Sequence, residues 1–167
     1  MKLSFAVAAS FIVTAVAAPA DVTCPDAKAA VPLLRGYSRL NKDHFYVTSQ
    51  EEMNAANGYA LKQSPGRVFT TQVPGTVPLF RLRNAAGLDH LYTANETERD
   101  DSVANNGYVY EGVTAYIFPS QICDSRPLYR AYSPRESDHY YSSDSWEMGY
   151  LGDTYGSLME GVTGYVL

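Results

Sequence analysis

One short pattern occurs three times in this 167-residue chain: Asp43-His44-Phe45-Tyr46, Asp89-His90-Leu91-Tyr92 and Asp138-His139-Tyr140-Tyr141. All three histidines of the protein lie inside it. Each copy follows a Pro-Leu pair at the same distance: Pro32-Leu33, Pro78-Leu79 and Pro127-Leu128. The copies stand 46 and 49 residues apart. A fixed period in this range means one supersecondary unit used repeatedly, with each unit too small to bury its own apolar face. The architecture is therefore three stacked copies of one module, over about residues 32–73, 78–120 and 127–167.

The segment before the repeats reads differently. Lys2 is followed by an almost wholly apolar run from Leu3 to Val16 and then by small residues up to Ala20. This is the pattern of a secretory signal peptide over residues 1–20, cleaved between Ala17 and Ala20. No second long apolar run occurs, so the remainder, 21–167, is expected to be one domain without membrane insertion, secreted to the extracellular space. The net charge is −5, with no cluster of Lys and Arg, which argues against nucleic acid as a partner. Two cysteines, Cys24 and Cys123, are expected to pair in an oxidising compartment and tie the lead-in to the last repeat. Asn95-Glu96-Thr97 is a glycosylation sequon on a surface turn. Fourteen tyrosines suit half-buried strands, with rings packed and hydroxyls near water.

Within each unit an alternating run precedes the Asp-His pair, as in Leu79-Phe80-Arg81-Leu82-Arg83, and reads as a strand. A polar turn follows, then the Asp-His-x-Tyr segment as a second strand, on which each His shares a face with its Tyr. Ser49, Asn95 and Asp144 are cap-type residues, each followed three positions later by Glu52, Glu98 or Glu147, the capping-box spacing. Short helices ending near Asn57-Gly58 and Asn106-Gly107 should follow. Two short strands close the unit, joined in repeats 2 and 3 through Glu111-Gly112 and Glu160-Gly161, while repeat 1 carries Lys62-Gln63-Ser64-Pro65-Gly66 instead. The expected fold is mainly β: three tandem β-β-α-β-β repeats closed into a pseudo-threefold, three-bladed propeller-like ring. The alternative is a β-trefoil. Closure in either form removes free sheet edges.

Pro127-Leu128-Tyr129-Arg130-Ala131-Tyr132, Asp138-His139-Tyr140-Tyr141, Gly107-Tyr108-Val109-Tyr110-Glu111-Gly112 and Ala115-Tyr116-Ile117-Phe118 together resemble a repeat family of secreted fungal and bacterial proteins, a domain of unknown function. Its usual form is close to PLYRLYN, DHFYTT, GYVYEG and GYVF, and the resemblance spans residues 32 to 167. Members look like extracellular modules attached to hydrolases, which implies surface or sugar binding by association.

The chemistry-bearing residues are those of the repeated motif. His44, His90 and His139 would form a metal site if they met at a threefold axis, since neutral imidazole suits zinc, copper or nickel. The structural reading is favoured: each imidazole half-buried and bonded to its Asp or to a backbone carbonyl, because repetition is what a packing role predicts. Calcium would need the repeated Asp and Glu, but no calcium-loop spacing is present and the Glu is assigned to capping. Acid–base catalysis requires carboxylates in unlike environments, and three equal copies do not supply them, so no enzyme activity and no cofactor are expected. The expected function is non-catalytic recognition of a glycan or cell-surface glycoprotein, lectin-like, through Asp43, His44, Tyr46, Asp89, His90, Tyr92, Asp138, His139, Tyr141 and Trp146. Tyr110, Tyr132, Tyr140 and Tyr155 are further candidate rings. Trp146 stands out because Glu51 and Thr97 occupy its place in the other copies. An immunomodulatory or defence interaction protein and a secreted hydrolase or metal-dependent enzyme are the alternatives.

Overall fold

The architecture is that of a computed structural model, which describes residues 23–84 and 89–167. The expected signal peptide lies outside the described residues, as do residues 85–88 of the second turn. The alternating runs form the central strands of three small antiparallel sheets of identical order. Sheet one runs β3 (Asp43–Val47), β2 (Leu34–Ser38), β4 (Ala60–Lys62). Sheet two runs β7 (His90–Thr93), β6 (Val77–Asn84), β8 (Tyr108–Ile117). Sheet three runs β10 (Asp138–Ser142), β9 (Arg126–Ser133), β11 (Leu158–Val166). A fourth sheet is the pair β1 (Val31–Pro32) and β5 (Arg67–Val68). Among the described residues the fold is mainly β, in four small open sheets with no closed barrel.

Helices α1 (Gln50–Ala55), α2 (Glu96–Asn105) and α3 (Ser145–Tyr155) follow the second strand of each unit. Ser49, Asn95 and Asp144 cap them as read from sequence, each side-chain oxygen accepting from the backbone N–H of Glu52, Glu98 or Glu147. The left-handed residue after α3 is Gly156, at φ 69°.

One expectation about the unit is corrected. Repeats 2 and 3 close with one long strand rather than two, and Glu111 and Glu160 are the extra residues of β-bulges within β8 and β11. Gly112 (φ 120°) and Gly161 (φ 106°) follow them, in a region that glycine alone enters without strain. Repeat 1 has no such bulge: Lys62 pairs directly with Arg35, and the strand is then broken through Gly66 before resuming as β5.

The core is built in threes. Leu33, Leu79 and Leu128, Tyr46, Tyr92 and Tyr141, and Val68, Ile117 and Val166 form one buried cluster to which every unit gives the same three positions. Smaller apolar clusters lie between sheet and helix, such as Phe45, Val47 and Met53 beside α1. Backbone pairings link the units in a cycle: Phe69 with Tyr116, Phe118 with Tyr165, and Leu167 with Arg67. At that end Ala30, Phe69 and Phe118 pack together near the disulfide Cys24–Cys123, whose Cα atoms are 5.5 Å apart. Among the described residues no helix is long and apolar enough to cross a membrane.

Candidate functional site

The repeated motif builds the centre of the molecule. Strands β3, β7 and β10 bring Tyr46, Tyr92 and Tyr141 edge to face, with ring centroids 5.3, 5.3 and 5.5 Å apart. Their hydroxyls form a cycle. The Tyr92 hydroxyl accepts from Tyr46 N at 2.8 Å, that of Tyr141 from Tyr92 N at 2.7 Å, and that of Tyr46 from Tyr141 N at 2.8 Å. The rings are at most 1% exposed, and burial pushes all three phenols upward, so they stay protonated.

The Asp-His pairs form a second cycle, which runs between units and not within them. Asp43 accepts from His90 N at 2.9 Å and His90 Nδ1 at 2.7 Å. Asp89 does the same for His139 (2.8 and 2.7 Å), and Asp138 for His44 (2.8 and 2.6 Å). Each aspartate thus fixes the ring and backbone of the next unit's histidine. Among the described residues the carboxylates, not the imidazoles, converge: oxygens of Asp43, Asp89 and Asp138 lie within 4.8 Å of one another. Their lone pairs are largely taken by histidine N–H groups, which makes the cluster a hydrogen-bond hub.

A third cycle joins helix to sheet. Glu52, Glu98 and Glu147, assigned from spacing to capping boxes, reach the next unit's arginine instead: Glu52 to Arg81 at 2.7 Å, Glu98 to Arg130 at 2.7 Å, and Glu147 to Arg35 at 3.3 Å. The bulged glutamates complete the arginines of their own units, Glu111 lying 2.9 Å from Arg81 Nε and Glu160 2.8 Å from Arg130 Nε. These are ion pairs off the N–H direction rather than aligned hydrogen bonds. The same glutamates approach His90 Nε2 (3.8 Å) and His139 Nε2 (3.4 Å).

All three cycles close, but the contacts that flank them are complete at two junctions and incomplete at the third, where repeat 3 meets repeat 1. Tyr59 and Tyr108 donate to Asp43 and Asp89, but Ser157 holds the equivalent place and leaves Asp138 without a phenol partner. Burial alone would raise Asp89, yet the bonds from His139 and Tyr108 outweigh it and hold that carboxyl below its usual value. For Asp138, burial prevails over the His44 bonds and the carboxyl titrates above its usual value. The three copies therefore do not share one environment, which departs from the equal environments expected of the repeats.

The opened junction carries two cavities. One of about 440 Å³ is lined by Tyr37, His44, Glu136, Asp138, Tyr140 and Tyr155 among others. The other, of about 510 Å³, is lined by Arg35, Ser64, Arg126, Ser143, Trp146 and Glu147 among others. Helix α3 presents an aromatic strip between them. Trp146 and Tyr150, four residues apart on one face, stack with centroids 5.7 Å apart and planes at 12°, and Tyr155 meets Tyr150 edge-on at 5.9 Å. These rings are 75%, 47% and 55% exposed.

Of the residues singled out in the sequence, Tyr46, Tyr92 and Tyr141 are buried in the core, as are Asp43, Asp89 and His139. His44 and Asp138 line the smaller cavity, and Trp146 the larger one. His90 lines a separate cavity of about 350 Å³ with Arg81 and Glu111. Tyr132 packs on His139, Tyr140 on His44, and Tyr110 on Phe80. Asn95 is exposed, with its Oδ1 capping α2. Sequence reading missed Arg35, Tyr150 and Ser157. Aligning the three units position by position exposes Ser157 and sets Arg35 beside Arg81 and Arg130 in the repeated Pro-Leu-x-Arg, but the partners of Arg35 appear only in the structure.

Residues 32–167 match the family described as a domain of unknown function (DUF5648), and the chain belongs to that family. No curated protein and no solved structure matches it.

Proposed function

We propose that the protein is a secreted, non-catalytic glycan-binding protein whose ligand lies along α3. The observation that carries this reading is the strip of Trp146, Tyr150 and Tyr155. Large exposed rings cost solvation unless they meet a partner, and sugars present C–H faces that stack on such rings. The cavities at either end offer hydroxyl, carboxylate and imidazole groups to sugar hydroxyls. Secretion is supported by the apolar N-terminal run after Lys2 and by the Cys24–Cys123 bridge. We read the three sheets as blades of a propeller-like ring rather than a trefoil, because each unit keeps its own three-stranded sheet and helix.

The test is a glycan array probed with the purified protein beside its Trp146→Ala and Tyr155→Ala variants. Binding to a defined set of glycans, lost in Trp146→Ala with unchanged thermal stability, is the expected result. A wild-type signal that both variants retain would remove α3 from the ligand site.

A further inference from the structure

The missing glutamate of unit 1 narrows the ligand class. In units 2 and 3 the central arginine lies between two carboxylates, one from the preceding helix and one from its own bulged strand. In unit 1 the second carboxylate is replaced by Lys62, so the charge at that position is reversed. Lys62 stands directly opposite Arg35 on the neighbouring strand, an arrangement in which side chains share a face and like charges repel. Arg35 is 8% exposed at its side chain, its NH groups meet Glu147 and the Tyr140 hydroxyl, and its Nε, unlike those of Arg81 and Arg130, has no carboxylate at ion-pair distance among the described residues. His44 Nε2 loses the same glutamate that the other two imidazoles face. A buried guanidinium nitrogen without an acceptor is costly, and a carboxylate is its best-matched partner.

The cavity beside Arg35 supplies room and further positive charge. Arg126 lines it with no ion pair among the described residues. Of its two acidic residues, Asp144 is occupied capping α3 and Glu147 is bonded to Ser142 and Arg35. Trp146 forms one wall.

Resting on the glycan reading above, we infer that this cavity binds an acidic sugar, a uronate-type residue whose carboxylate takes the place of the missing glutamate at Arg35 while its ring stacks on Trp146. The ligand completes in unit 1 the charge pattern that units 2 and 3 complete internally. The molecule accordingly has one acidic-sugar site, not three.

The test uses the whole secreted protein with two probes of equal length, an oligomer of glucuronate and a neutral oligomer of glucose, read by calorimetry and by the arginine Nε–Hε signals in NMR. The uronate oligomer is expected to bind about tenfold to a hundredfold tighter, the factor carried by one charge-assisted bond, and to shift the Arg35 signal. Lys62→Glu puts a carboxylate directly opposite Arg35 at an exposed position and so keeps the fold. It is expected to erase the uronate preference while leaving neutral binding in place. Equal affinity for both oligomers, lost in Trp146→Ala, would overturn the carboxylate assignment and leave the glycan reading standing. A uronate preference undiminished in Lys62→Glu, or an Arg35 signal unmoved by the uronate oligomer, would overturn it as well, as would failure of both oligomers to bind.

Discussion

Asp89 and Asp138 occupy equivalent positions and titrate in opposite directions: burial raises both, the bonds from His139 and Tyr108 outweigh it at Asp89, and at Asp138, which has no tyrosine donor and lies near Asp43, it prevails. The consequence for stability has a definite sign. A carboxyl held below its ordinary value, 3.8 for Asp89 and 4.5 for Glu98 and Glu147, stabilises the fold above that value and loses the contribution as pH falls through the lower folded one. Asp138, raised above 3.8, acts the other way, and its ionisation costs stability as pH rises. Asp89→Asn should therefore flatten the acid limb of a melting-temperature profile, and Asp138→Asn should steepen it. Calorimetry between pH 3 and 7 on the three proteins measures this. Equal flattening in both variants would show that the missing tyrosine does not decide the titration.

At the scale of elements, each unit is a three-stranded sheet with a helix pinned to it by a cap and a cross-unit ion pair. The bulges in β8 and β11 turn Glu111 and Glu160 toward the arginines and histidines. They depend on glycines at φ 120° and 106°, a conformation a side chain rarely adopts. No atom lies within 4 Å of a Cβ placed at Gly112, so substitution there tests conformation rather than crowding. Gly112→Ala should cost about 1–3 kcal/mol in urea unfolding, the usual cost of a strained backbone region. Gly149→Ala, on helix α3 with equally open space, should be neutral or stabilising. If both variants behave alike, the bulge is not held by its glycine.

For the molecule as a whole, stability is a property of the closed cycle. Each unit borrows an aspartate, a glutamate and a tyrosine hydroxyl from a neighbour, and the last residue, Leu167, pairs with Arg67 of the first unit. The disulfide adds a constraint across a sequence separation of 99 residues. Replacing both cysteines by serine should lower stability by about 4–5 kcal/mol if the chain-entropy account holds, measured by denaturant unfolding under non-reducing conditions. A loss under about 1 kcal/mol would mean that the repeats hold the lead-in without it, since engineered and natural bridges range down to nearly nothing.

The chain alone determines the module. The period of the Asp-His-x-Tyr copies, the alternation of the flanking strands and the caps Ser49, Asn95 and Asp144 are local signals, read over a few residues because hydrogen bonding and side-chain direction act locally. What tertiary structure decided is which copy each side chain serves. Asp43 holds His90 rather than its neighbour His44, and Glu52 reaches Arg81 rather than its own helix cap, because packing around a common centre brings different units closer than adjacent residues on one strand can face each other. The same closure brings two scattered substitutions, Lys62 for glutamate and Ser157 for tyrosine, to one junction, since residues far apart in the chain become neighbours only when the last unit meets the first.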